Sequence, residues 1–489
     1  MAYFNYRFFL ITLVALAPVL LSVRLGKDNL APSLSGQARV LYPGSDEFAN
    51  ASVRWSAAKS PAYSLIVKVA TEADVQKTIL YANQKGKSFL AVSGGHGTTS
   101  QIANAKGGIG IHLGRMNNIS IVDDGEAALI EGGVQNGDLV SYLWARGKQT
   151  ATTGCDCVGY IAPILGGGHG WLRGRYGLAA DQLLSARLVL ANGTVVEASE
   201  VENPDLFWAL RGAGHNFGVV TQAKLRIYDV PPSERQWTAS GFVFKEDKLE
   251  ALFEVANEVL DDPERPAELT YYFVFAFNRE VDAEQPIITL WVYYPSTRIP
   301  EKFDEQLRAL IPVAVETSTT DLAGVNAHLL ANKDGPACAE GLSRKLTPIS
   351  LQHYPIPSIR RSFEIFANMP AALHDSVMFL ENYPNDRVLE IDANSTAFPN
   401  RIGKILASPL MTYAPNASLD AVADGIIDDI RDALVKGSGS NLVAYINYAK
   451  GDESLEAVYG YEPWRLEKLR RLKKEFDPFG RFNFFAPIV

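Results

Sequence analysis

The sequence predicts an α+β protein in two large parts, closed by a short C-terminal segment that returns to the first. Three observations carry this reading. A chain of 489 residues exceeds what a single hydrophobic core organises, so it divides into domains. Between residues 61 and 231, short strand-like runs alternate with helical runs and an unusual density of glycine. After Val230-Pro231-Pro232 the text changes to longer aromatic strands separated by helical stretches. That pattern predicts an α/β domain over 236–440, an antiparallel sheet backed by helices, and then a segment 441–489.

Taken in order, residues up to about Ser60 read as a leader and an irregular, Pro- and Ser-containing lead-in. Leu65 opens a strand-like run, and the stretch after Thr71 reads as a helix. Thr71 is its N-cap, Val75, Ile79 and Ala82 its apolar face, and Gly86 its stop. Strands follow at Phe89–Val92, Ile109–His112, Ile119–Val122 and Ala127–Glu131, then a helix that starts near Asn136 or Asp138. Asn192-Gly193 is the strongest hairpin signal in the chain. Leu206–Arg211 reads as a short helix, with a closing strand through Val219 and Val220. In the second part, the runs at Thr270, Ile287 and Arg387–Ala393 read as strands. The end of the chain reads as a strand, Leu442–Tyr448, and a helix with Trp464, Leu466, Leu469 and Leu472 as its buried side. The mixed charges from Arg465 to Glu475 read as its solvated face.

Composition narrows the function classes. Apolar residues at 47% and charged residues at 21% are ordinary for a soluble globular protein. A net charge of -9 without a basic cluster argues against nucleic acid as a partner. Arg7 followed by an apolar run from Phe8 to about Val23 has the order of a secretory signal, expected over residues 1–22, with a membrane anchor as the alternative. Sequons at Asn50, Asn118, Asn192, Asn394 and Asn416 fit a secreted or secretory-pathway protein, free of the membrane once the signal is cleaved. Only Cys155, Cys157 and Cys338 occur, so no disulfide framework is expected. Two cysteines without clear His or Cys partners do not complete a tetrahedral metal shell.

Ser93-Gly94-Gly95-His96-Gly97 directly follows a strand. Consecutive glycines let the backbone approach a ligand and aim its N–H groups at phosphate oxygens, and a histidine in such a loop is presented to whatever the loop holds. A second glycine-rich stretch runs from Gly154-Cys155-Asp156-Cys157-Val158-Gly159 to Gly166-Gly167-Gly168-His169-Gly170. Arg173 to Asp181 follows, and later Gly212-Ala213-Gly214-His215-Asn216-Phe217-Gly218-Val219-Val220. Downstream stand Phe379-Leu380-Glu381-Asn382-Tyr383, Thr396-Ala397-Phe398-Pro399-Asn400-Arg401, Tyr445-Ile446-Asn447-Tyr448 and Asp477-Pro478-Phe479-Gly480-Arg481-Phe482. In this order the motifs resemble the berberine-bridge-enzyme-like oxidases, whose flavin domain is of the vanillyl-alcohol-oxidase or PCMH type. No Rossmann fingerprint occurs.

The resemblance implies a two-part PCMH-type FAD-binding domain, a substrate domain inserted before the C-terminal segment, and a monomeric oxidase. It puts His96 where an imidazole bonds to the flavin 8-methyl carbon. It puts Cys155 where many relatives form a second bond at flavin C6. The motif departs from theirs at Asp156 and at Ala162-Pro163, so a second bond, a free buried thiol and a strained Cys155–Cys157 disulfide all stand open. Gly166, Gly167, Gly168, Asn216, Gly218 and Val220 resemble the pyrophosphate and adenine loops, and Asn447 lies in the strand that borders the flavin. His169 is near the flavin without an assigned role, and His215 reads as structural. One tyrosine, Tyr445 or Tyr448, is expected as general base. On a regular strand the two rings would lie on opposite faces, and Glu381 is the next candidate. The expected reaction takes a hydride from a small specialised metabolite (alcohol, phenolic, polyketide or alkaloid intermediate) to FAD and gives H2O2 from O2. Oligosaccharide oxidation, and a non-oxidative cyclisation catalyst or scaffold, are the alternatives.

Overall fold

The computed structural model describes residues 29–489; the leader expected over residues 1–22 lies outside them. Among the described residues no helix is long and apolar enough to cross a membrane.

The first part holds two large sheets and a small two-stranded one, Lys148–Gln149 with Tyr228–Asp229. In the four-stranded one, Leu65–Lys68 and Phe89–Val92 both pair in parallel with Ile109–His112, and Arg39–Leu41 pairs antiparallel with Leu65–Lys68 at the edge. The lead-in is therefore not irregular: it contributes that edge strand and the helix Asp46–Ser52, capped by Ser45. The helix Glu72–Gln84 starts in a full capping box at Thr71 and Asp74 and buries Val75, Ile79 and Ala82. The loop Ser93–Gly97 leaves the carboxyl end of its strand, where open α/β sheets bind ligands.

The second sheet is antiparallel and five-stranded, in the order Ile119–Val122, Ala127–Glu131, Val219–Arg226, Leu183–Val189, Val195–Ser199. The Asn192-Gly193 hairpin forms as read, with Gly193 at φ +84°. The strand expected to close this part sits at the centre of the sheet.

Residues Trp237–Tyr413 supply an eight-stranded antiparallel sheet. Its pleat explains the two chemistries of its faces. Leu380 and Met378 join Phe273 and Phe275 in a core against the helices Leu249–Asp261, Ile356–Ala367 and Ala417–Ser438. The alternate residues Val377, Phe379 and Glu381 face a cavity shared with the first part. Arg387–Ala393 is not a strand. Asp386–Glu390 is a short helix, because the chain leaves the sheet after Asn382 and buries only Val388 from this run.

The C-terminal segment also departs from its expected form. Ile446–Tyr448 is a 3-10 turn, closed by Tyr448 N–H donating to Tyr445 C=O at 2.9 Å. The helix Pro463–Phe476 buries Leu466, Leu469 and Leu472, but Trp464 is 38% exposed. Its expected solvated face is partly internal. Arg465 is buried and donates to Thr396 and Ala393 carbonyls, and Lys473 pairs with buried Asp477 at 2.8 Å.

Candidate active site

Two glycine-rich loops build one wall of the site by touching backbone to backbone. A Cβ on Gly94 would meet the Cys157 carbonyl oxygen at 2.7 Å and the Gly159 amide closer still, and a Cβ on Gly159 would strike Ser93. Only glycine allows that approach. The cavity of about 770 Å³ beside them is lined by every residue from Ser93 to Thr98, by Gly159, and by Gly218, Val219 and Val220. Among the described residues, no backbone N–H from Gly94 to Thr98 donates to a protein acceptor. The buried hydroxyls of Ser93 and Thr98 and Nδ1 of His215 also lack protein partners. Unpaired buried donors of this kind require a ligand or water, and a run of free N–H groups suits phosphate oxygens. The residues present therefore fit a phosphate-bearing ligand such as FAD.

His96 stands in this wall, stacked on Trp55 with ring centroids 5.2 Å apart. Its Nδ1 lies 2.8 Å from the Gly94 carbonyl oxygen, which can only accept. Nδ1 therefore carries the proton and Nε2 the lone pair. Burial, reinforced by Arg54 and Arg344, lowers the imidazole pKa to about 4, so the ring is neutral at physiological pH.

The cysteines are arranged differently from the expectation. Cys157 and Cys338 form a disulfide across 181 residues, with Cα atoms 5.9 Å apart. Composition could not reveal it, because the partner lies in the other domain. Cys155 is the free thiol. It lines the cavity, with its sulfur 3.5 Å from that of Cys157. Burial raises its pKa to about 11, which keeps it protonated.

Not every glycine predicted to hold the cofactor reaches the cavity. Gly166, Gly167 and Gly168 are absent from its lining; a Cβ on them would collide with Asn447, the Phe398 ring and Ala179 respectively. Gly166 and Gly167 serve close packing of the first part against the C-terminal segment and the second part, and Gly168 packing within the first part. Asn216 is fully buried away from the cavity. It donates to Tyr459 Oη and the Ala486 carbonyl and accepts from Ile488 N–H. His215, read as structural, lines the cavity and stacks on Phe485 at 4.4 Å.

The opposite wall carries a cluster of phenols around one carboxylate. Glu381 on the strand Val377–Asn382 and Tyr383 just past its end both line the cavity, and Tyr272 lies across from Glu381 in register. Tyr383 donates to Glu381 Oε2 at 2.8 Å, and Tyr272 donates to Tyr383. Tyr448 donates to Glu381 Oε1 at 3.2 Å. Burial raises the Glu381 carboxyl to about 7, against the pull of the Tyr383 and Tyr448 hydroxyls. Because the 3-10 turn brings residues three apart onto one side, Tyr445 and Tyr448 both enter this cluster, with ring centroids 5.3 Å apart. They do not take opposite faces. Tyr445 Oη accepts from Asn447 Nδ2 at 2.7 Å and from His169 N–H at 3.4 Å, and burial pushes its pKa to about 12.

Comparison with known proteins agrees with this geometry. Residues 63–199 match the FAD binding domain family. FAD-linked oxidoreductase chyH of Penicillium rubens is 36% identical over 471 residues, covering 94% of this chain and 93% of its own. The chain belongs to the FAD-linked oxidoreductases. FAD-linked oxidoreductase anuG of Penicillium roqueforti is 35% identical, covering 94% of this chain and 91% of its own. Among solved structures, 6-hydroxy-D-nicotine oxidase of Arthrobacter nicotinovorans superposes with a TM-score of 0.77 at 27% identity, covering 94% of this chain and 100% of its own. Physcomitrella patens BBE-like 1 shares the fold, with a TM-score of 0.80 at 23% identity over 94% of this chain and 98% of its own. The α+β fold of the berberine-bridge-like, PCMH-type flavoproteins and an FAD-dependent oxidoreductase activity follow. Glu381 and Tyr383 stand within one motif of the sequence. It gave no sign of Tyr272, whose place is set by sheet register.

Proposed function

We propose that this FAD-linked oxidoreductase is an oxidase of a small specialised metabolite, with FAD held covalently through His96. The observation that carries this reading is a proton-accepting pair, Tyr448 and Glu381, opening on a cavity whose other walls are largely apolar. Leu330, Leu342, Val377, Phe379 and Leu410 line it, which suits an aromatic or alicyclic alcohol or phenol better than a sugar chain.

The chemistry FAD supplies when bound is acceptance of a hydride and reoxidation by O2, with release of hydrogen peroxide. The chain supplies the rest. As the substrate C–H bond breaks, the attached hydroxyl gives its proton to Tyr448 Oη, whose own proton passes along the 3.2 Å hydrogen bond to Glu381. A carboxyl near 7 is matched to this task at neutral pH. Tyr445 has no such outlet: its oxygen already accepts from two N–H donors, and among the described residues its hydroxyl donates to no protein acceptor. Burial keeps water from competing for the proton. His96, neutral with its lone pair on Nε2, is in the nucleophilic form that attachment to the flavin methyl carbon requires. The protonated Cys155 thiol is not in the reactive form. The five exposed sequons and the disulfide support passage through an oxidising secretory pathway.

The test is anaerobic bleaching of the flavin across a panel of phenolic, polyketide and alkaloid alcohols, followed by peroxide assay in air. Bleaching by a member of that panel and stoichiometric peroxide are expected. Bleaching by simple oligosaccharides alone, or covalent flavin that no compound bleaches, would replace this reading with carbohydrate oxidation or with a non-oxidative role.

A further inference from the structure

His169 and Arg173 form a pair that the proton transfer above does not use. Arg173 is buried on the helical turn Arg173–Tyr176. It donates to the Gly403 carbonyl at 2.6 Å, and its other terminal nitrogen lies 2.9 Å from Nδ1 of His169. No carboxylate pairs with this guanidinium among the described residues. The imidazole itself is packed between Tyr445, 4.4 Å away, and Tyr383, 6.0 Å away. It lines the cavity.

The donor inventory decides the protonation state. A guanidinium has five N–H donors and no acceptor. An imidazole nitrogen at hydrogen-bond distance from it must therefore offer a lone pair. Nδ1 of His169 is unprotonated, and the single ring proton sits on Nε2. Nε2 hydrogen bonds no protein group among the described residues. Burial also opposes a second ring proton, and the neighbouring uncompensated cation works in the same direction.

We infer that Arg173 locks His169 as a neutral Nε2–H donor that positions an acceptor oxygen of the substrate, a carbonyl or phenolic oxygen, in the cavity. Resting on the oxidase reading, this narrows the substrate to compounds that carry such an oxygen and bars His169 from acting as the base. A fixed, desolvated N–H discriminates by leaving itself unpaired when the oxygen is missing. Division of labour follows: the Tyr448–Glu381 pair takes the proton, and His169 holds the ring or side chain that bears the acceptor.

Two measurements on the FAD-loaded enzyme test this independently. In 15N spectra of protein labelled at histidine, at pH 7, His169 should give the signals of a neutral imidazole with Nδ1 bare and Nε2 protonated. They are assigned by their loss in His169→Phe. Arg173→Lys keeps a cationic donor and should preserve them, and Arg173→Met should not. An imidazolium, or a proton on Nδ1, overturns the lock whatever the substrate is. The second measurement titrates acetophenone and ethylbenzene, matched in shape but for one carbonyl oxygen, against the flavin absorbance. The carbonyl compound should bind about five- to tenfold more tightly, the value of one neutral hydrogen bond. That preference should vanish in His169→Phe and persist in His169→Gln. Equal binding of the two in the wild type, binding of neither, or a preference untouched by His169→Phe overturns the positioning role. Neither arm requires turnover, so either can fail while flavin bleaching succeeds.

Discussion

Two tyrosines three residues apart enter the same cluster, yet only one has somewhere to send a proton. Tyr448→Phe should slow flavin reduction about a hundred- to ten-thousandfold, with an unchanged flavin spectrum, because it removes the link to Glu381. Tyr445→Phe should cost much less, since that oxygen only accepts from Asn447 and the His169 amide. Stopped-flow reduction of both variants separates them. The Glu381 carboxyl, raised to about 7, must be ionised to accept. Reduction should therefore climb about tenfold per pH unit below 7 and level off above it, and Glu381→Gln should abolish the climb. Stability runs the other way. The folded state holds this proton at pH values where the unfolded carboxyl, near 4.3, has already lost it. Folding therefore loses stability as pH rises from there to about 7, and thermal melts of Glu381→Gln should not show this slope. His96→Ala should yield protein whose flavin is released by acid, whereas the wild type should retain it after denaturation, as read by absorbance of the precipitated chain.

At the scale of elements, close backbone contact sets the site. A Cβ on Gly166 would meet the Ile446 side chain at 2.5 Å and press on Asn447, whose amide holds Tyr445. Gly166→Ala should cost about 1–3 kcal/mol of stability by overpacking and also alter flavin reduction, measurable together by melting and stopped flow. How much of this was legible depends on what the local pattern encodes. The strands and helices of the first part could be read because their periods and caps are local: Thr71 with Asp74, Asn192 with Gly193. The run from Arg387 to Ala393 has strand-like residues but finds no sheet edge. Tyr445 to Tyr448 alternates like a strand but bends into a 3-10 turn to pack on Gly166. In both, tertiary packing overrode a short apolar run. Of the residues the motifs named, His96, Cys155, Tyr445 and Tyr448 line the cavity. Gly166–Gly168 and Asn216 lie outside its lining; glycines that admit a neighbouring chain and glycines that cradle a ligand look alike in sequence.

At the scale of the whole molecule, the Cys157–Cys338 bond ties the glycine-rich loop of the first part to the second domain beside His96. Leu330, Ala331, Pro336 and Ala337, which precede Cys338, line the cavity, so the bond also fixes a wall of it. Cys338→Ser should lower stability by about 2–5 kcal/mol, seen as a reduced melting temperature that dithiothreitol lowers no further. The same bond constrains how the protein is made. On the ribosome Cys155 and Cys157 emerge together, long before Cys338. With only these two cysteines ahead of Cys338, any disulfide formed within the chain before Cys338 emerges is the non-native Cys155–Cys157 pair. From that pair the native bond would require the late-arriving Cys338 thiolate to attack Cys157 and expel Cys155. The yield of active protein from a foreign host should therefore follow that host's supply of disulfide isomerase more closely than its rate of synthesis.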